Sequence, residues 1–177
     1  IAVGSKVSRN FAFTAANTPG AVVTATLVLN DNGTPRGSVD FTFQVSGGAT
    51  FSNTNKITIP DRGIASPYPS SINVSGIDGK VASLSVTLKN FSHAFPSDVD
   101  ALLVGPQGEQ VMLVSDTGAG FAVTNLNLTL SDAAGSFLPG ATVLTSGVFL
   151  PTDYTGGDIM PPPAPEGTPA AQLAAFS

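Results

Sequence analysis

Two runs near the start of the chain alternate between apolar and polar residues. In each run the odd-numbered positions are apolar and the even-numbered positions are mostly polar, the apolar set being Val23, Ala25, Leu27, Leu29 and then Val39, Phe41, Phe43, Val45. A period of two residues is that of a β-strand with one buried and one solvent-facing side. The connection over residues 30–37 contains Asn32-Gly33, a pair that favours a tight reversal. These residues therefore predict an antiparallel hairpin.

The composition extends this prediction to the whole chain. Nineteen Gly and 14 Pro separate runs rich in Val, Thr, Ile and Phe, and only 11% of the 177 residues are charged. Such runs favour β-strands, and the Gly and Pro residues favour the turns between them. We expect an all-β protein of one domain or two small ones.

A second hairpin is predicted in the middle of the chain. The apolar run 99–104 is closed by Gly105-Pro106-Gln107-Gly108 and is followed by the apolar run 111–114. Further β-type runs cover residues 8–14, 71–74, 80–88 and 123–130. A Gly-rich loop follows at 114–120, and a Pro-rich stretch lies at 160–165.

The order of these pieces from Ile57 onward resembles the P domain (P/Homo B module). That module is the β-sandwich that follows the catalytic domain of subtilisin-like proprotein convertases and recurs in bacterial secreted and cell-surface proteins. The resemblance implies a jelly-roll-like β-sandwich over residues 49–177. Residues 1–48 are similar to the closing strands of an immunoglobulin-like domain, with the boundary at Gly47-Gly48.

Both predicted parts have fewer strands than their families. An immunoglobulin-like sandwich usually has about seven strands, and residues 1–48 supply three β-type runs. P domains continue past the equivalent of residues 173–176 with an Asn-Gly-x-Trp turn and a Trp-containing strand, whereas this chain has no Trp. We expect either a piece of a longer chain or completion by strands of another copy.

Charge and composition exclude several kinds of partner. With a net charge of −5 and only seven Lys and Arg, the chain lacks the basic patch that binds nucleic acid. No apolar run reaches the roughly 18 residues that cross a bilayer, and the absence of Cys excludes disulfides and thiolate sites. A weakly charged surface rich in Ser, Thr, Asn and Gly favours a secreted or cell-surface location.

Four acids are the candidate metal ligands: Asp98, Asp100, Asp116 and Asp132. Asp98 and Asp100 are two residues apart in a segment predicted to be extended, so they share a face, and Asp116 and Asp132 lie in loops that can fold against the hairpin ends. Carboxylate oxygens suit Ca²⁺. The alternative is that these acids cap the strand, accept bonds from loop amides and form Asx turns.

The chain is not expected to be an enzyme. His93 is the only histidine, and its neighbours Ser92, Ser97 and Asp98 belong to the same local segment, whereas a catalytic triad converges from separate elements. No Gly-x-Ser-x-Gly motif is present. We expect His93 to be structural and bonded to a loop carbonyl.

These inferences predict a non-catalytic, extracellular structural or adhesive protein. Strands missing at both ends favour a subunit of a filament or surface array that is assembled by strand complementation between copies. The resemblance also implies an alternative, a regulatory P domain that stabilises a secreted subtilisin-like protease. A carbohydrate-binding module is a third hypothesis, although the chain has no Trp and only two Tyr to form an aromatic binding face.

Overall fold

A computed structural model describes residues 22–44, 48–77 and 80–177. The chain divides into two compact units, Ile1–Thr50 and Phe51–Ser177. The strand predicted over residues 8–14 lies outside the described residues. The described elements are eight strands and two short 3₁₀ turns, with no α-helix, so the predicted all-β fold class is confirmed.

The described part of the first unit is an antiparallel hairpin of β1 (Val22–Asp31) and β2 (Thr34–Gln44). The reversal needs only Asn32 and Gly33, whose φ values of 48° and 85° lie in the left-handed region that these two residue types tolerate. The predicted eight-residue loop is therefore too long, because pairing continues to the two residues that flank this turn.

The register of this hairpin places the apolar positions opposite one another. Ala25 is opposite Phe41 and Leu27 is opposite Val39, so these side chains share one face. That face retains solvent contact: Leu27 is 37% exposed, Val39 46% and Phe41 49%. Among the described residues, no third strand joins this sheet.

The described residues of the second unit form two three-stranded sheets. In the first, β3 (Ser85–His93) pairs antiparallel with β6 (Val123–Ser131), which pairs parallel with β7 (Gly147–Phe149). In the second, β4 (Ala101–Val104) pairs antiparallel with β5 (Gln110–Ser115), which pairs parallel with β8 (Thr152–Asp153). Two 3₁₀ turns, Pro96–Asp98 and Leu173–Phe176, complete the described elements.

One apolar cluster joins the two sheets. Leu128 and Leu130 of β6 and Val111 and Val114 of β5 have no exposed side-chain area and belong to the same cluster of buried residues. Because strands of both sheets contribute to it, the second unit has the layered arrangement of a β-sandwich.

The last residues of the chain cover part of this core. The Ala170 amide donates to the Gln110 carbonyl at 2.8 Å, and Ala170 forms a parallel bridge with Val111. Leu173 is 1% exposed and belongs to the apolar cluster. Residues 170–173 thus lie beside β5 and cover part of the apolar core.

Two local predictions for this unit are wrong. Residues 71–74 form no strand, and Ile72 and Val74 are 48% and 59% exposed, because no described strand lies beside them to pair. Asp98 lies in a 3₁₀ turn and not in an extended segment, since Pro96 at the start of the turn favours the helical φ. Asp98 and Asp100 therefore do not share a strand face.

Candidate metal centre

A cluster of carboxylates lies where the ends of β5 and β8 meet. Parallel pairing sets Ser115 of β5 beside Asp153 of β8, and Asp116 follows directly after β5. Downstream of β8, Gly156 and Gly157 have φ values of 63° and 82°, which reverse the chain before Asp158. This short loop is the local reason why residue 158 returns to the strand ends.

The oxygens of this acidic cluster are close together. One carboxylate oxygen from each of Asp116, Asp153 and Asp158 lies within 4.8 Å of the others. The Ser115 hydroxyl donates to Asp158 Oδ2 at 2.9 Å and lies 3.3 Å from Asp116 Oδ2. A hydroxyl has one proton, so Ser115 cannot donate to both acids at once.

The loop after β8 supplies two further donors. The Thr155 hydroxyl donates to Asp116 Oδ2, and the Gly156 amide donates to Asp153 Oδ1 at 2.7 Å. These bonds fix the orientation of two carboxylates. They do not neutralise their charge.

Asp100 is a fourth acid of the same region, because it precedes β4 and the register pairs Ala101 with Val114. Although its side chain keeps some contact with solvent, partial burial raises the pKa of Asp100 above its ordinary value of 3.8. The nearby Ser115 hydroxyl would lower this pKa if it donated to Asp100, but in the structure it donates to Asp158. Repulsion from the three clustered acids, in the order Asp158, Asp116 and Asp153, raises the pKa further.

No described basic side chain compensates these charges. The ion pair found among residues 22–44, 48–77 and 80–177 joins Arg36 to Asp31 at 2.7 Å in the first unit. The acidic cluster is therefore a site of concentrated negative charge, whose repulsion a bound cation would remove.

The donor set fits a hard divalent cation. Two ligand atoms that each lie about 2.4 Å from one Ca²⁺ are at most about 4.8 Å apart, and the three clustered oxygens meet this limit. The available atoms are carboxylate and hydroxyl oxygens, with no described nitrogen or sulfur ligand in the cluster. Such a set suits Ca²⁺ better than Zn²⁺ or Cu²⁺.

The four acids singled out from the sequence are divided between different places. Asp100 and Asp116 lie at the cluster. Asp98 accepts a bond from the Ser97 hydroxyl at 3.3 Å in its 3₁₀ turn. Asp132 accepts the backbone N–H groups of Leu173 and Ala174 at 2.9 and 2.8 Å, and both of its carboxylate oxygens are engaged.

Sequence reasoning missed Asp153 and Asp158. Their only local signal is an acid on each side of a Gly-Gly pair, in Asp153-Tyr-Thr-Gly-Gly-Asp158. That signal does not say which other loop the acids will meet.

His93 is held by backbone groups. Its Nδ1 lies 2.7 Å from the Phe95 carbonyl oxygen, and its Nε2 lies 3.3 Å from the Pro60 carbonyl oxygen. The Ser92 hydroxyl instead accepts the Asn125 amide at 2.8 Å. The predicted contact of His93 with a loop carbonyl is confirmed.

The fold and this cluster define a class: an all-β protein with sandwich-like packing and a candidate cation site at the strand ends. Comparisons with family models, curated protein sequences and solved structures found no match to the chain. No described helix has the length and apolar character needed to span a membrane.

Proposed function

We propose that this chain is a non-catalytic structural or adhesive protein of an extracellular surface, in which copies associate through the β1–β2 hairpin by strand complementation. The observation that carries the proposal is the exposed apolar face of the hairpin. A strand from a neighbouring copy pairs with the edge of this sheet. The sheet to which that strand belongs then packs on the apolar face and completes a sandwich.

The stability of the hairpin supports association. A two-stranded sheet is at best marginally stable in water when nothing packs on its apolar face. Within the described residues, Leu29 of the same face is 44% exposed, and Val28 on the opposite face is 60% exposed. Burial of such side chains supplies the main favourable term of association.

The edge of β1 is suited to strand addition. Residues 22–30 contain no charge, Pro or Gly and are rich in β-branched residues, a composition that leaves an edge unprotected. The outer edge of β3 differs, because its register shifts on both sides of Phe91 and Lys89 lies in the strand. Bulges and lysines prevent strand addition, so the proposal places association at the hairpin.

A matched pair of variants tests this proposal. Leu27 and Thr26 are neighbours on opposite faces of β1. Light scattering and negative-stain electron microscopy of the full chain should show assemblies that Leu27→Lys disrupts and Thr26→Lys preserves. A wild-type chain that stays monomeric at several milligrams per millilitre would refute association by this route.

A second proposal concerns the cofactor and rests on the acidic cluster. We propose that Asp116, Asp153 and Asp158, with Asp100 beside them, bind one Ca²⁺ that has a structural role in the second unit. The absence of a neutralising basic group among the described residues supports it. Calorimetric titration of the EDTA-treated chain with CaCl₂ should show one saturable site, and heat changes no larger than those of dilution would contradict it.

A further inference from the structure

The two outer edges of the β1–β2 hairpin differ in how well they are protected from strand addition. In β2, the pairing passes from Pro35 to Gly37 and leaves Arg36 opposite no residue of β1. Pro35 has no N–H to donate, and a bulge of this kind bends the edge away from an added strand. In β1, residues 22–30 carry no charge, Pro or Gly. Among the described residues of the hairpin, the outer edge of β1 is therefore the one suited to strand addition.

One open edge in each copy limits how copies can assemble. A filament built by strand addition needs two different edges, because each copy must contact one neighbour on each side. When two copies use the same edge, the contact has two-fold symmetry and occupies the open edge of both. The two-fold axis that keeps both apolar faces on the same side is perpendicular to the sheet, and it makes the two β1 strands antiparallel. The hairpin edges therefore favour closed pairs over an open filament.

The alternation within β1 determines which residues can lie opposite one another. Directly opposite residues of antiparallel strands point to the same side of the sheet, so positions of the apolar face must meet one another. Pairing along the whole uncharged run 22–30 sets Thr26, its central residue, opposite Thr26 of the second copy. The same register sets Leu27 opposite Ala25 of the second copy, which keeps a large and a small apolar side chain together.

We propose that two copies pair through β1 in this antiparallel register, an inference that rests on the proposed association through the hairpin and specifies its symmetry. The product is one four-stranded sheet in the order β2-β1-β1-β2. Four strands with a common apolar face form a stable layer more readily than an isolated hairpin does. Two such sheets can then pack through their apolar faces, so assemblies contain an even number of copies.

The charges at the end of β1 do not oppose this pairing. Asp31 is the charged residue of β1, and it lies just beyond the paired run 22–30. Arg36 forms an ion pair with it at 2.7 Å within the same copy. Both side chains are exposed, so this ion pair adds little to stability. It does leave the end of the contact without net charge.

Disulfide formation tests the register, because the chain contains no Cys and one substitution introduces a single thiol. Directly opposite residues of antiparallel strands have Cα atoms about 4.5–5.5 Å apart, and a disulfide spans about 4.4–6.8 Å. Mild oxidation of Thr26→Cys should therefore give a disulfide-linked dimer on a non-reducing gel. Thr24→Cys is the matched control, since the two copies of residue 24 would lie about 13 Å apart along the strands. An equimolar mixture of Thr24→Cys and Val28→Cys should link one variant to the other.

The proposed register also predicts how the Thr26→Lys variant responds to salt. Its two lysines lie opposite each other on the solvent-facing side, so the pair persists but is weakened by about fivefold or less at low salt. Screening in 0.5 M NaCl should restore the wild-type affinity. Leu27→Lys should disrupt the pair at both salt concentrations, because its charge lies on the apolar face.

The mass of the assembly separates failure of this inference from failure of the proposed function. Native mass spectrometry of the wild-type chain should give an even number of copies. A wild-type chain that stays monomeric would refute both proposals. Assemblies that Leu27→Lys disrupts, but in which Thr26→Cys is linked no faster than Thr24→Cys, would overturn the two-fold pairing and leave association through the hairpin in place. An odd number of copies would have the same meaning.

Discussion

The Asp158→Asn variant tests the acidic cluster both in the absence and in the presence of calcium. In the metal-free protein the substitution removes one of several mutually repelling charges, yet the amide oxygen can still accept the Ser115 hydroxyl. In the presence of calcium it removes a charged ligand. We therefore expect the variant to be more stable than the wild type without calcium and to gain less stability when calcium is added.

The expected magnitudes follow from the distances. Two carboxylates with oxygens up to 4.8 Å apart repel by about 1 kcal/mol in a water-like dielectric and by about 3 kcal/mol at an effective dielectric of 20. Because Asp153 is exposed and the other two acids are half-buried, we expect the lower figure, about 1 kcal/mol. If Kd is about 0.1–1 mM, the range of weak Ca²⁺ sites, 5 mM Ca²⁺ stabilises the native state by about 1–2 kcal/mol.

The assay is thermal unfolding in EDTA and in 5 mM CaCl₂. For a unit of this size, about 1–2 kcal/mol corresponds to a rise in Tm of about 3–8 °C in the wild type. Asp98→Asn is the matched control, because Asp98 lies in the 3₁₀ turn and not in the cluster, and it should leave the calcium response intact. A wild-type Tm that does not respond to millimolar calcium, with no stabilisation of the Asp158→Asn variant in EDTA, would refute the reasoning.

Three further predictions concern charge and packing. The raised pKa of Asp100 means that the folded state binds this proton more tightly than the unfolded state does. The stability of the metal-free protein should therefore fall as the pH rises from 3.8 through the raised pKa. Thermal melts between pH 3.5 and 7 should show this slope in the wild type and a flatter slope in Asp100→Asn. Leu128→Ala removes a side chain without exposed area and should cost about 2–5 kcal/mol in urea unfolding, whereas Val148→Ala, at a position 57% exposed, should cost little. Asp132→Ala leaves two N–H groups of the C-terminal 3₁₀ turn without their acceptor, which should cost about 1–2 kcal/mol and speed proteolysis within residues 160–177.

The strands were predictable because their evidence is local. Alternation of apolar residues predicted β1, β2 and β6, and the Gly-Pro turn predicted the β4–β5 hairpin. Residues 71–74 were predicted from the same kind of evidence and are not a strand, since a strand also needs a neighbour to pair with. The sequence does not say where such a neighbour lies.

The candidate metal centre was only half predictable for a related reason. Asp100 and Asp116 adjoin the predicted β4–β5 hairpin, so their proximity follows from local pairing. Asp153 and Asp158 depend on β8, a strand of two residues whose parallel pairing joins positions far apart in the chain. A strand this short has no periodicity to detect.

The pairing of β8 also explains why the repulsion in the cluster cannot be relieved by a shift of the backbone. Thr152, which precedes Asp153, is 2% exposed; its hydroxyl donates to the Leu150 carbonyl at 2.7 Å and accepts the Leu138 amide at 3.0 Å. Moving Asp153 away from the cluster would break these buried hydrogen bonds, which costs about 1–3 kcal/mol when a buried group is left without a partner. This cost is at least as large as the repulsion of about 1 kcal/mol, so the acids stay together.

Thr152→Val consequently tests the framework while it leaves every acid in place. The valine keeps the shape of the side chain but neither donates nor accepts, so we expect a loss of about 1–3 kcal/mol in urea unfolding and a looser β8. Calcium should then stabilise the variant less than the wild type, because part of its binding energy is needed to hold Asp153 in position. An unchanged calcium response in this destabilised variant would show that the loop after β8, with Thr155 and Gly156 as donors, positions the acids without help from the core.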